Sequence, residues 1–257
     1  MASRVELIAV RGLPEIGAGD PIGELIADAI RTGGDEPAAD DVVVISQKIV
    51  SKAEGRVRDL SRIEPGTRAR QLADRLDKDP RLVELILGES RELIRAERGV
   101  LIVETQTGWI CANAGVDGSN VPGDDHVTLL PEDPDASARR IRAELSAAAG
   151  VAPAVVIADS FGRPWRLGQT DVAIGCAGLT PLDDRRGQHD REGRELTATE
   201  IAIADQLAAA ADLTRTKEAG IPACVVRGLD GPVTVADGPG ARALRRPAGA
   251  DLFRRRD

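Results

Sequence analysis

Cysteine is scarce in this chain: Cys111, Cys176 and Cys224 are the only three in 257 residues, widely spaced and set in apolar or small-residue segments. With no CxxC pair and only two histidines, neither a zinc site nor a disulfide framework is indicated. Long apolar runs are missing as well. None approaches the roughly 18 residues that a membrane span needs, and the opening MASRVELIAV lacks the apolar region of a signal peptide, so the sequence predicts a cytoplasmic protein without a membrane partner. Positive charge is outweighed, 34 Lys and Arg against 42 Asp and Glu for a net −8, which argues against nonspecific capture of nucleic acid by a broad cationic surface. The one basic run, Arg254 to Arg256, reads as a solvated tail. Two nucleotide signatures are absent: there is no GxxxxGK[ST] and no GxGxxG after a strand, and GAGD at 17–20 reads as a turn before a helix.

Apolar side chains make up 42% of the chain, enough for a sizeable core in one large domain or two modest ones. The segment DPIGELIADAIR predicts a helix with Asp20 as N-cap, Pro21 at its first position, and Ile22, Leu25, Ile26, Ala29 and Ile30 on one stripe. The β-branched runs DVVVIS (41–46), GVLIVE (99–104) and AVVIAD (154–159) predict buried strands, and DASARRIRAELSAAAG (135–150) a helix between them. Strands alternating with helices predict a mixed α/β architecture. A dense charged run at 180–195, TPLDDRRGQHDREGRE, marks a composition shift that suggests two lobes. An Ala-rich helical pattern follows it, then the strand PACVVRG and a tail after residue 228 that reads as loop.

Three polar segments carry the chemistry. In NAGVDGSNVPGDD (113–125), Asp117 and Asn120 lie three apart between Gly115, Gly118 and Gly123, so the backbone can turn sharply and present oxygen ligands to a hard cation. The same composition suits an exposed turn in which Asn and Asp bond their own backbone, and both readings stand. In IADSFGRPWRLGQTD (157–171), Asp159 and Ser160 are placed at the C-terminal end of a strand, where mixed sheets commonly bind ligands. Phe161 and Trp165 fit equally well as core plugs, while Arg163 and Arg166 suit phosphate or carboxylate recognition. The third segment, SQKIVSKAEGR (46–56), offers Ser46, Gln47, Lys48, Ser51, Lys52 and Arg56 at a strand exit, where a lysine such as Lys52 can contact phosphate as a point charge.

Six segments in order, GLPEIGAGD, VVVISQKIVSKAEGR, CANAGVDGSN, LLPEDPDASARRIR, DSFGRPWRLGQTDVAIG and GIPACVVRGL, resemble the coenzyme F420-0:γ-glutamyl ligase family along nearly the whole chain. The resemblance implies an α/β (mixed α+β) fold of two sub-lobes in one module spanning 1–257, forming an intertwined homodimer. It implies a ligase of coenzyme F420 biosynthesis that joins L-glutamate to F420-0 or its dehydro form using GTP. Mg²⁺ or Mn²⁺ is the expected metal, with K⁺ as a further cation candidate. Some members carry the module fused to a flavin-binding reductase domain, for which no residues are left here. An alternative expectation is a nucleotide- and metal-binding module without ligase turnover of its own, working with a separate reductase partner.

Carried over residue by residue, Leu13, Pro14, Glu15 and Ile16 match the nucleotide-contacting loop, and Gln47 and Lys52 match residues near the GTP. Asp117, Asp159 and Ser160 resemble the metal ligands, Asn120 a nucleotide-contacting neighbour of Asp117, and Lys217 a weak member of the nucleotide site. Lys52 and an arginine from Arg163 or Arg166 would offset negative charge on the transferring phosphoryl group. Two segments depart from the family pattern: Gln106 and Thr107 stand where a basic residue and His are usual, and LTRTK (213–217) where VMGK is, with Thr216 in place of glycine.

Overall fold

The computed structural model describes residues 4–119, 123, 125–215, 220–251 and 253. Its first half runs β1 (Glu6–Val10), α1 (Ile22–Thr32), β2 (Val42–Ser46), α2 (Gln47–Ala53), β3 (Val57–Asp59), α3 (Thr67–Leu76), α4 (Pro80–Gly88), β4 (Ser90–Glu97), β5 (Val100–Thr105), β6 (Ile110–Ala112) and β7 (His126–Thr128). The second half adds α5 (Pro134–Ala149), β8 (Ala154–Arg163), β9 (Arg166–Ala177), β10 (Leu182–Asp184), β11 (Glu200–Ala202), α6 (Ile203–Asp212) and β12 (Ala223–Arg227). The mixed α/β class expected from the sequence is the one observed.

A five-stranded sheet in the order β1-β12-β2-β8-β9 forms the centre, with β2 and β8 parallel and the other neighbours antiparallel. Its β-branched runs show no polar alternation because both faces are covered. Val43, Ile45, Val155, Ile157 and Val225 pack with α1, α2 and α5. Val42, Val44, Val156, Cys176, Cys224 and Val226 pack on the other face with α6. All three cysteines are buried and free.

Helix α1 buries the expected stripe of Ile22, Ile26, Ala29 and Ile30, but Asp20 does not cap it. The Gly23 N–H that an Asp20 cap would take is given to Glu144 of α5 at 2.8 Å, and the Asp20 carboxylate instead accepts from the Gly17 N–H. Gly23 is also where the two helices touch: a Cβ there would lie 2.5 Å from the Ile141 carbonyl oxygen. Caps form where donors remain free, with Ser46 accepting from the Lys48 N–H, Asp79 from Arg81 and Asp133 from Ala136.

A second, smaller core lies between α2 and α5 in sequence. Leu72, Leu76, Val83, Ile86, Leu101, Val103 and Ala114 close α3 and α4 over the β4-β5-β6 sheet. The β3–β7 ladder, Val57 opposite Thr128, ties the two ends of this insertion together. The charged run at 180–195 is not part of that core. It forms an exposed arm in which β10 pairs β11 and Arg186 forks onto Asp184. The tail after 228 is largely irregular, as expected, and is held by two side chains of α5: Asp135 accepts from the Ala241 N–H, and Arg142 donates to the Thr234 and Val235 carbonyls and to Asp237. Among the described residues no helix is long and apolar enough to cross a membrane.

Candidate active site

Where β2 runs into α2, a cavity of about 610 Å³ opens beside the central sheet. Leu13 to Ile16 form one wall, Lys48 and Lys52 of α2 a second, and Asp117 reaches in from the inserted lobe. Asp159, Ser160 and Asp171 of the β8–β9 hairpin and Arg215 beyond α6 complete the polar lining.

The two lysines are one helical turn apart, so they share a face. Each holds a loop. Lys52 Nζ lies 2.5 Å from Glu15 Oε1, and Lys48 Nζ lies 2.7 Å from Asp117 Oδ2 while also donating to Ser119 Oγ. The loop that presents Asp117 starts with three consecutive left-handed residues, Asn113 (φ 53°), Ala114 (φ 54°) and Gly115 (φ 69°). A Cβ at Gly115 would come within 2.6 Å of the Leu130 side chain, so glycine is required there for space as well as for its dihedral. Backbone bonds between Asp117 and Thr128 then fix the carboxylate's base, and its oxygens accept from the Ser119 N–H and hydroxyl. Both sequence readings of this stretch are therefore realised in part: Asp117 bonds its own loop and faces the cavity. Burial disfavours its charge, but the Lys48 ammonium and the Ser119 N–H outweigh that and hold Asp117 below the usual carboxylate range.

Asp159 behaves in the opposite way. Loss of surrounding water pushes its carboxyl up to about 7, and the neighbouring negative charges of Asp171 and Asp117 add to the rise, against the pull of the Ser160 N–H and Lys48. Asp171 is 5% exposed and paired with Arg215, itself 7% exposed, at 2.5 Å. Nearby Cys111 is pushed up to about 12 by burial and by Asp159, so it is a protonated thiol and no nucleophile at neutral pH. Among the described residues no three His, Cys, Asp or Glu side chains surround one point as a ready metal site. The donors that face the cavity, Asp117, Asp159 and Ser160, are all oxygen, the set hard divalent cations take, and the like charges of Asp171 and Asp117, which add to the effect of burial on Asp159, are the kind a cation relieves.

Of the residues singled out in the sequence, Leu13, Pro14, Glu15, Ile16, Lys52, Asp117, Asp159 and Ser160 line this one cavity. Gln47 does not line it: it is 1% exposed, with Oε1 accepting from Ser51 and Nε2 without a partner among the described residues. Arg163 and Arg166 also lie outside the lining. The strand does not end at Asp159 and Ser160 but continues to Arg163, so both arginines sit at an exposed hairpin tip around Pro164 and Trp165, with Arg163 donating to the Leu167 carbonyl. Phe161 packs partly buried against the core, whereas Trp165 is 82% exposed and meets the Phe253 ring at 4.8 Å. Asn120 and Lys217 lie outside the described residues. Gln106 and Thr107 line a separate hollow of about 260 Å³ with Arg56, Glu89 and Glu132, away from this cavity.

Sequence reasoning gave no role to Lys48, Asp171 or Arg215, although Lys48 stands among the polar residues of SQKIVSKAEGR. Lys48 was legible as the i−4 neighbour of Lys52 on the same helix face. Asp171 becomes a site residue only once the hairpin register sets it opposite Ser160, and Arg215 carries no local signal.

An α/β cavity that gathers two lysines, an arginine and several carboxylates has the size and the charged lining of an enzyme site for a small polar molecule. The comparisons narrow this. The model of the F420-0:gamma-glutamyl ligase family matches residues 12–228. The coenzyme F420:L-glutamate ligase of Methanothermobacter thermautotrophicus is 47% identical over 97% of this chain and 99% of its own length. Those of Haloarcula marismortui and Methanopyrus kandleri are 44% and 45% identical, over 97% and 92% of this chain and 96% and 92% of their own. The chain belongs to the F420-0:gamma-glutamyl ligase family and is an enzyme of the ligase class in coenzyme F420 biosynthesis.

Proposed function

We propose that the protein joins L-glutamate to F420-0, or its dehydro form, through γ-glutamyl amide bonds in a GTP-dependent reaction that passes through an acyl phosphate. The observation that carries this reading is the convergence of Lys48, Lys52, Asp117, Asp159 and Ser160 on one cavity beside the loop Leu13 to Ile16. A carboxylate does not react with an amine at neutral pH until one of its oxygens becomes part of a leaving group. In the first step an acceptor carboxylate oxygen attacks the γ-phosphorus of GTP, the bond to the bridging oxygen breaks, and GDP departs. In the second the glutamate amine attacks the acyl carbon, phosphate leaves with the transferred oxygen, and the amine proton is lost to solvent. Both steps depend on positioning and charge neutralisation.

Lys48 and Lys52 would exchange their partners Asp117 and Glu15 for phosphate oxygens. Mg²⁺ or Mn²⁺, held by Asp117, Asp159 and Ser160, would supply charge neutralisation on the phosphate oxygens, and K⁺ is a further cation of the same reading. The same reading makes the enzyme a homodimer, for which the exposed Trp165 and Leu167 of the hairpin tip offer an apolar face.

Incubation with F420-0, GTP and glutamate, read by product mass and by phosphate release, tests the function. Glutamate-dependent phosphate release with a mass gain of one or more glutamyl units is expected; GTP binding with neither a mass gain nor phosphate release that depends on glutamate would point to a nucleotide-binding module without ligase turnover instead. Isotopic oxygen placed in the terminal carboxylate of F420-0 should reappear in phosphate, one atom per turnover.

A further inference from the structure

Ser160 and Asp171 stand directly opposite each other across the β8–β9 ladder. The Ser160 hydroxyl donates to Asp171 Oδ1 at 2.6 Å, and Asp171 Oδ2 accepts from Arg215 Nη2 at 2.5 Å. The carboxylate and the guanidinium are 5% and 7% exposed, so this is an interior pair whose geometry water does not blur. A hydroxyl has one proton to give. With that proton committed to Asp171, Ser160 turns only lone pairs toward the cavity, which makes it an acceptor for a cation and not a donor to phosphate.

We infer that Asp171 is a positioning residue, anchored by Arg215, that fixes Ser160 as an oxygen ligand of the divalent cation. The inference rests on the metal-dependent reading above. Both carboxylate oxygens of Asp171 are already engaged, one by the hydroxyl and one by the guanidinium, so its part is to orient and polarise Ser160. Carboxylates that stand behind a metal-binding group in this way typically govern affinity tenfold to a hundredfold.

The test is the affinity of the full chain for Mn²⁺ alone, titrated by the paramagnetic resonance signal of the free ion. Asp171→Asn keeps the shape, but its amide can donate to Ser160 Oγ and so reverse the polarity of the bond. Mn²⁺ should bind this variant about ten- to a hundredfold more weakly. Ser160→Ala should lose a similar factor. Adding Asp171→Asn to Ser160→Ala should then change the affinity by less than about twofold, because Asp171 acts through that hydroxyl. Wild-type affinity in Asp171→Asn, or losses that multiply in the double variant as a merely structural role requires, overturns the inference while leaving the metal site standing. Failure of the wild-type chain to bind Mn²⁺ overturns the metal reading itself, and the inference with it. If Asp171→Asn does not fold because Arg215 is left unpaired, the same comparison is read in Asp171→Asn/Arg215→Met, which removes the orphaned guanidinium.

Discussion

Lys48 Nζ lies 2.7 Å from Asp117 Oδ2, so a lysine of the central lobe holds the carboxylate that the inserted lobe offers to the cavity. A divalent cation and this ammonium compete for the same oxygens. Lys48→Met should therefore bind Mn²⁺ more tightly than the wild type while releasing phosphate from GTP on the order of 10²-fold more slowly, because a charge facing the transferring group is gone. Asp117→Asn should lose turnover outright with a stability change of about 1 kcal/mol or less, since the residue sits in a loop. Metal titration and glutamate-dependent phosphate release, measured on both variants, check the pair. Near-normal turnover of Asp117→Asn in saturating Mn²⁺ would remove Asp117 from the site.

Gly115 sets where that carboxylate sits. With φ at 69° and the Leu130 side chain 2.6 Å from any added Cβ, Gly115→Ala meets both a dihedral and a steric penalty, each about 1–3 kcal/mol. Denaturant unfolding should show that loss. Adding Leu130→Ala should recover only the steric part, leaving the variant still less stable than Leu130→Ala alone. Full recovery would mean that the left-handed turn is not under strain.

Arg163 and Arg166 read in the sequence as candidates for a phosphoryl clamp, but they stand at the tip of a hairpin outside the cavity of their own chain. Charge on an exposed turn is screened by water and contributes little. Arg163→Lys and Arg166→Lys should each keep glutamate-dependent phosphate release within about threefold of wild type, a far smaller effect than Lys48→Met. A loss beyond tenfold would put an arginine back in the chemistry. Restoration of that loss on mixing with Lys48→Met chains would assign the arm to a partner's cavity.

Arg163 and Arg166 lie away from the cavity of their own chain for a reason that local sequence does not carry. DVVVIS and AVVIAD announce buried strands because uninterrupted β-branched runs have few other uses, and the stripe from Ile22 to Ile30 announces α1 for the same reason. Where β8 stops is a different matter. The run AVVIAD puts Asp159 and Ser160 at the C-terminal end of a strand, yet antiparallel pairing with β9 carries the strand on to Arg163. The partner strand supplies hydrogen bonds that local propensity cannot anticipate, and the same pairing decides that Asp171 faces Ser160. The charged run at 180–195 is a different case. Composition marks exposure, and this run is an exposed arm, whereas the second core is built from α3, α4 and β5 by ordinary amphipathic segments. The carboxylates and Lys52 were legible because glycine-rich or strand-exit contexts single them out. Arg215 was not: it lies within LTRTK, a segment notable for its departure from the family pattern, but nothing in that segment marks the arginine itself.

Asp159 gives the sharpest dependence on pH. Its carboxyl is raised to about 7 in the folded chain, through loss of water first and the charges of Asp171 and Asp117 next, against about 3.9 when unfolded. The folded state thus holds the proton more tightly than the unfolded state. The corresponding stability is fully present below about 3.9 and is lost as pH rises through about 7. Asp159→Asn, which has nothing to ionise, escapes that loss. In metal-free buffer its advantage in melting temperature over wild type should grow from pH 5 to pH 8, even though the variant can no longer turn over. Saturating Mn²⁺ should shrink the advantage at pH 8, because a cation that binds the ionised carboxylate of the wild type stabilises only the folded chain that assembles it. An advantage independent of pH would mean that Asp159 keeps an ordinary carboxylate titration and that the crowding of charge around it is relieved by water.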